Sequence, residues 1–387
     1  MFTLLLPAIV LSSAQAADAV QLHPTLQVRP RVEAHTGRDG LPDGEAIFVS
    51  QRTRLGAELK APQLRARLSF QDVRLWGSES HTLLDYTADS IDLHEGWLQW
   101  APVEELSLRA GRQEINIHEQ RLLGAVDWTP QGRSFDALSL SLSSGKLGAD
   151  AGVAVLADAD SAAWDTGGLM AFLRAGATPA EGAQTDLLVI LDTDELSERT
   201  RVTGGLYAKA GSGALSGRVE AYGQVGSRAD VDIQAAMVGV RGTFAPDRAG
   251  KPELTLWYDL LSGDGDAADT KATAFDTLFA TNHKFYGQLD LVTFGLGGAV
   301  DNQGLHDAAL KLGASPAKGL RANLDLHAFL AAAPAADDPM LGQEVDLWMS
   351  GKVAEHLQIA GGGAAFVQLT GDREPDLWAW LQLNLDL

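Results

Sequence analysis

Residues Leu377–Leu387 read LWAWLQLNLDL, and the fold class turns on them. A β-strand sends successive side chains to opposite faces. One face here is Leu377, Ala379, Leu381, Leu383, Leu385 and Leu387; the other is Trp378, Trp380, Gln382, Asn384 and Asp386. In a soluble β-sandwich the apolar face would turn to the core. In an outer-membrane barrel it would turn to lipid and the polar face would line a lumen. The length matches a tilted transmembrane strand of about 9–11 residues.

The same alternation recurs toward the N-terminus. Gln63–Gln71 reads QLRARLSFQ and sets Arg65 and Arg67 against Leu64, Ala66, Leu68 and Phe70. An arginine facing lipid at mid-bilayer costs roughly 2–4 kcal/mol, whereas one in a wet lumen costs little. Period-2 patterning also marks residues 27–33, 52–60, 138–143, 218–225, 254–259 and 320–328. Turn signals separate these runs at Ala61-Pro62, Ser143-Ser144-Gly145, Ala210 to Gly213 and Ser315 to Gly319. Longer polar insertions run from Ser262 through Asn282 and from Ala331 to Gly342. The pattern predicts an all-β chain: a single transmembrane antiparallel barrel over residues 17–387, with short periplasmic turns and longer extracellular loops. No helix and no domain linker is expected.

The bulk properties narrow the function classes. The net charge of −21 argues against nucleic acid as a partner. Cysteine is absent, which excludes disulfides and Cys-ligated metals. No apolar run is long enough for a membrane-spanning helix. Phe2 to Leu11 is apolar and Ala14-Gln15-Ala16 follows, the pattern of a secretory signal peptide over residues 1–16. Charge is uneven: the first third is rich in arginine, and most of the acid excess follows it.

Catalytic and metal signatures are weak. No HExxH, zinc spacing, GxSxG or P-loop occurs, and His94, His118, His283 and His306 are scattered. Asp264, Asp266 and Asp269 could offer carboxylates to calcium, but the stretch lacks the glycine and closing glutamate of an EF-hand. A solvated extracellular loop is the plainer reading. No cofactor and no metal is expected.

Several motifs together resemble the alginate export family of outer-membrane β-barrels. They are FQDVRLWG (Phe70 to Gly77), DLHEGWLQW (Asp92 to Trp100), LSLRAGRQEI (Leu106 to Ile115) and QRLLGAVDWTPQGRSFDALSL (Gln120 to Leu140). Later come FDTLFATNHKFYGQLDL (Phe275 to Leu291), LGQEVDLWMSGKVAEHLQIAGGGAAF (Leu341 to Phe366) and the final strand. The resemblance implies a monomeric barrel of about 18 strands (16–18) in the outer membrane of a Gram-negative bacterium. It implies a passive channel, with an arginine-rich lumen that carries an anionic polyuronate in the best-known members.

A guanidinium matches a carboxylate in a bidentate fashion. Arginines on alternate strand positions would form a ladder of weak sites, tight enough to admit an anionic saccharide and weak enough to release it. The residues expected to line such a pore are Arg29, Arg31, Arg52, Arg54, Arg65, Arg67, Arg109, Arg112, Arg121 and Arg133. Arg74 is expected at a bulge or rim. The plainer reading of each arginine is a salt-bridge partner that holds the barrel's shape. Glu33, Glu58, Asp92, Glu95 and Glu114 are ready counter-ions. Glu220, Asp259, Asp325, Asp346 and Asp386 would make one later wall acidic. Trp97, Trp257, Trp348, Trp378 and Trp380 share the polar register, where packing or an interfacial girdle is favoured over sugar stacking. Two other readings stand beside the channel: an outer-membrane barrel enzyme with a Ser or Asp paired to a His near the rim, and a secreted β-rich binding or structural protein.

Overall fold

The computed structural model describes residues 20–36, 45–78, 91–156, 167–266, 268–292, 302–334, 339–368 and 374–387. The expected leader lies outside them. The strands are β1 (Gln21–Thr36), β2 (Glu45–Lys60), β3 (Leu64–Leu75), β4 (Asp92–Val103), β5 (Leu106–Gln113), β6 (Phe135–Ser144), β7 (Leu147–Leu156), β8 (Gly168–Ala177) and β9 (Gln184–Asp194). They continue with β10 (Arg199–Ser212), β11 (Leu215–Arg228), β12 (Val231–Phe244), β13 (Glu253–Leu261), β14 (Lys271–Ala272), β15 (Leu305–Ala317), β16 (Leu320–Leu330), β17 (Met340–Ala354), β18 (Leu357–Val367) and β19 (Asp376–Asp386). The two-residue β14 stands off the wall and pairs in parallel with β12. The other 18 strands each pair antiparallel with the next, β13 passes to β15, and β19 returns to β1.

Closure satisfies the backbone without water, as a membrane barrel requires. The seam sets Val28 opposite Leu385 and Val32 opposite Leu381, and ends with Leu26 and Leu387 exchanging N–H···O bonds at 3.1 and 2.9 Å. Pro30 has no N–H, and the β1–β19 ladder skips Arg29 and Pro30 while keeping its register.

The pleat sorts side chains as the alternation predicts. On β19, Leu381 is 48% exposed on the outside while the adjacent Trp380 is 8% exposed inside. On β3, Leu68 and Phe70 face out, while Ser69 and Gln71 are buried inside. The outward leucines and valines would be an aggregation hazard in water and are stable against lipid. The secreted soluble alternative is excluded by this inversion. One local irregularity matters for the site. Ser69 pairs with Glu95 and Phe70 with Leu93, so His94 is an extra residue in β4. This bulge turns both His94 and Glu95 inward.

Most turns at one end are short, as between β2 and β3 or β10 and β11. At the other end, two long connections fold into the barrel. The first is residues 114–134, between β5 and β6. The second runs from 262 to 304, between β13 and β15, and its described parts are 262–266, 268–292 and 302–304. The stretch read as a solvated loop is exposed at Gly265, Asp266 and Asp269, whereas the polar insertion expected to continue through Asn282 is buried at Phe275 and Thr277. Its start caps itself: Asp264, Asp266 and Asp269 each accept an N–H two residues on, from Asp266, Ala268 and Lys271. Its middle turns inward and is buried.

Candidate functional site

The two inward loops make a hydrophobic core where a wet lumen was expected. Leu122, Leu123, Phe275, Phe285 and Tyr286 are each at most 1% exposed and belong to one cluster. Full burial of such a side chain contributes about 1.5–3 kcal/mol. Backbone bonds tie the loops together: Gly124 N–H to Phe279 O at 2.9 Å, Phe279 N–H to Leu122 O at 3.0 Å and Thr281 N–H to Gln120 O at 3.0 Å. The constriction is therefore a folded body attached to the wall.

The attachment uses the first group of predicted arginines. Arg29 donates to the carbonyls of Asp127 and Thr129 at 2.6 and 2.8 Å. Arg31 donates to Trp128 O at 2.8 Å and lies 4.2 Å over the Trp128 ring. Arg52, only 1% exposed, pairs with the Asp127 carboxylate at 2.8 Å, and Arg54 reaches the same carboxylate at 3.4 Å. These four arginines line the inner wall but are covered by the loop they hold. Burial alone would raise the Asp127 carboxyl; Arg52, Arg29 and Arg54 together hold it below the usual carboxylate range.

The other predicted arginines divide. Arg65, Arg67 and Arg109 face the open lumen near the short-turn end. Arg67 pairs with Glu95 at 2.5 Å, and Arg109 donates to Gln99 at 2.7 Å while lying 4.2 Å over Trp97. Arg112 is a correction. It is three residues from Arg109, so the pleat sends it to the outer face, where it pairs with Asp136 at 2.9 Å. Arg74 is on the same outer face near the rim, paired with Asp72 at 2.7 Å. Arg121 and Arg133 lie on the first loop instead of the wall. Arg121 is buried between Asp259 at 2.8 Å, Glu220 at 3.6 Å and the Tyr286 hydroxyl at 2.9 Å. Arg133 donates to Ala280 O at 3.2 Å and so joins the two loops.

The acidic late wall is consequently much less acidic than its sequence. Glu220 and Asp259 neutralise Arg121, Glu220 also meets Arg218 at 2.8 Å, and Asp325 holds Lys311 at 2.7 Å.

The tip of the first loop is strained. His118, Glu119 and Gln120 have φ of 45°, 53° and 74°, three successive non-glycine residues in the left-handed region. His118 anchors the tip, with Nε2 2.9 Å from Asp186, Nδ1 3.1 Å from the Tyr222 hydroxyl, and its ring stacked on Tyr207 at 4.3 Å. Glu119 then projects to Arg218, with Arg241 at 3.4 Å and the Tyr207 hydroxyl at 3.4 Å.

Three cavities adjoin one another beside this body. The upper one, about 630 Å³ on the long-loop side, is lined by Arg133, Arg199, Arg201, Arg228 and Lys271 together with Asp264, Asp269, Asp276 and Asp290. It shares Trp128 and His283 with a middle space of about 390 Å³. The middle space shares Lys284, Lys311, Asp325 and Trp348 with a lower cavity of about 960 Å³ toward the short turns. Lys209, Arg218, Arg241 and Arg321 complete the cationic lining of the lower cavity. Among the described residues, Lys209 and Lys284 make no ion pair, and Arg241 Nε and Nη2 have no hydrogen-bond partner.

Sequence reading missed this second set of cations. The signal was present: Arg218 shares its face with Glu220, and alternation puts Arg321 with Asp325. What could not be read was register. Arg218 opposes Arg241, and Arg241 opposes Trp257, so residues far apart in sequence become one cluster. The tryptophans are placed differently. Trp378 and Trp380 pack edge-on against Trp128 at 5.8 and 4.9 Å, whereas Trp348 lines the middle and lower spaces.

The architecture is shared with solved outer-membrane proteins. OccK3 (OpdO) of Pseudomonas aeruginosa superposes with a TM-score of 0.66 at 14% identity, over 95% of each chain. The outer membrane protein opdK from the same organism gives 0.66 at 15% identity, over 95% of this chain and 98% of that one. A BenF-like porin from Pseudomonas fluorescens Pf-5 gives 0.64 at 13% identity, over 95% and 98%. No curated protein matches the sequence. The profile of the family described as alginate export matches residues 25–372, and with the closed 18-strand barrel around an inward-folded constriction, this chain belongs to that family of Gram-negative outer-membrane β-barrels.

Proposed function

We propose that the protein is a passive channel for anionic saccharides or other small anions. The observation that carries this reading is the cation excess around the lower cavity, where six basic side chains face four carboxylates. Lys284 and Lys311 line both the middle space and the lower cavity, and Lys209, Arg218, Arg241 and Arg321 surround the latter. Many weak exposed pairs, each worth about 0–1 kcal/mol, bind an anion loosely enough to release it. Trp348 beside these cations offers an apolar face to a sugar ring while the ammonium groups meet its carboxylate.

This reading moves the selective cations from the first strands to the later ones. Arg29, Arg31, Arg52 and Arg54 hold the constriction in place; Arg65, Arg67 and Arg109 contribute to a side region of the lumen. Solute would pass single file through the middle space, which suits monomers or an extended uronate chain. The N-terminal leader belongs to the same proposal, since an outer-membrane barrel must first be exported. The barrel is proposed to act as a monomer.

The enzyme alternative has one observation in its favour. His94 faces Ser134 Oγ at 3.4 Å and Glu114 at 2.8 Å, the order of a Ser–His–carboxylate site. The Ser–His distance exceeds the ~2.6–3.2 Å range for a nucleophile and its base. Arg54 Nη2 also sits 3.4 Å from the same His94 nitrogen and competes with the Ser134 hydroxyl for it. His94 is 3% exposed beneath the loop, so the arrangement is assigned to loop anchoring.

Reversal potential in a planar bilayer under a potassium chloride gradient tests the channel. Anion selectivity that falls when Lys284 and Arg241 are made neutral is the expected result. Cation selectivity, or a closed barrel with serine-directed labelling at Ser134, would overturn it.

A further inference from the structure

The lower cavity contains an anion seat with the chain's own carboxylate in it. Arg218 on β11 and Arg241 on β12 are directly opposed in register. Both point inward, and Arg241 lies against the Trp257 ring at 2.9 Å. Lys311 approaches the same ring at 4.6 Å. The Glu119 carboxylate contacts Arg218 and Arg241 together, and its other oxygen meets the Tyr207 hydroxyl. Glu119 comes from the loop tip, not from the wall, and it lines both the lower cavity and a second polar space of about 390 Å³ behind it.

Two features distinguish this contact from an ordinary wall salt bridge. Glu119 sits in the middle of three left-handed residues, a conformation that L side chains adopt at a cost and that the His118 anchor sustains. The Glu119 side chain is also half exposed, while Arg218 and Arg241 are 7% and 11% exposed, so water and solute reach the carboxylate more readily than they reach the cations. Glu119 meets each arginine through a single Nη1, while Arg241 Nε and Nη2 are buried and without a partner among the described residues.

We infer that Arg218 and Arg241 form a carboxylate-binding seat, that Glu119 occupies it as a tethered internal anion, and that a permeating carboxylate takes the seat by displacing Glu119. Glu119 is thus a specificity-determining residue: it sets how strongly an incoming anion must bind to be held, and it prevents a polyanion from lodging there. This rests on the anion-channel reading proposed above and adds to it the residue that tunes the site.

The test is bilayer electrophysiology on the full barrel, with sodium glucuronate as the blocking anion. Wild type, Glu119→Gln and Glu119→Asp are compared for chloride-to-potassium permeability ratio and for the glucuronate concentration that halves the chloride current. Glu119→Gln should raise the permeability ratio by about threefold to fivefold and lower the half-blocking concentration by a similar factor. Glu119→Asp keeps the charge on a shorter arm and should fall between, which preserves the comparison if the Gln variant does not fold. An anion-selective wild type whose two values are unchanged in both variants overturns the inference and leaves the channel reading standing. A wild type without anion selectivity that becomes anion-selective in Glu119→Gln supports the seat and overturns the channel reading. A wild type without anion selectivity and without response to either substitution overturns both.

Discussion

Two cation-rich patches on the inner wall have opposite surroundings. On β1 and β2, Arg29, Arg31, Arg52 and Arg54 are covered by the backbone carbonyls and Asp127 of the first loop. On β11, β12 and β15, Arg218, Arg241 and Lys311 border an open cavity of about 960 Å³. The residue types and the pleat are the same. The difference is whether a folded segment has already satisfied the donors. A buried guanidinium bonded to three carbonyls is an anchor, because breaking it leaves polar groups unpaired in a closed space. One whose partner is the half-exposed Glu119 carboxylate at a cavity's edge can exchange that partner.

The largest effect should come from the body that separates the two patches. Phe285→Ala empties a site that is 1% exposed and removes the ring 3.9 Å from the Arg121 guanidinium. Denaturant titration should show a loss of about 3–5 kcal/mol, and single-channel conductance should rise as the constriction loosens. An unchanged conductance would mean that the inner core does not limit the pore.

Next comes the anchor patch. Arg52→Ala strips the Asp127 carboxylate of its 2.8 Å partner and frees Gln27. A stability loss of roughly 1–3 kcal/mol and noisier open-channel current are expected, with the sign of selectivity preserved. The open patch should behave in the reverse way. Lys284→Gln should leave unfolding midpoints nearly unchanged and reduce anion selectivity by about twofold to fivefold, as read by reversal potential. If Arg52→Ala changes selectivity more than Lys284→Gln does, the division between the two patches is wrong.

Acid should loosen the anchor patch. The Asp127 carboxyl is held below the ordinary value of about 3.9, so its contribution is full above that value and is lost as pH falls through the lower folded one. Current noise should stay level from about pH 7 to 5 and rise only below about pH 4. The smallest effect belongs to Arg112→Gln. Its side chain faces outward with Asp136, so stability should move within about 0.5 kcal/mol and the reversal potential should not move at all.

The barrel was legible residue by residue. Leu381 beside Trp380, and Leu68 beside Arg67, announce an outer and an inner face, and the structure keeps both. The arginine ladder was legible only as inward-facing chemistry. Arg109 and Arg112 could not share a face at a spacing of three, which pleat parity alone would have shown. Burial of Arg29 and Arg52 had no such local mark, because the carbonyls that cover them lie 100 residues away for Arg29 and 75 residues away for Arg52. The second loop was the hardest to read. Its polar opening at Asp264 and Asp266 looks solvated, and the apolar Phe275, Phe285 and Tyr286 that follow are too irregularly spaced for a strand.

Alone, the sequence determined the strand period, the lipid-facing and lumen-facing sets and the closed antiparallel class, because alternation is a property of neighbouring residues and needs no partner. Only the tertiary structure decided which inward cations are free. That depends on two loops meeting across the lumen, on Arg218, Arg241 and Trp257 falling into register on three strands, and on Glu119 reaching the seat from a strained tip. Those are distances between residues remote in the chain, and no local pattern encodes them.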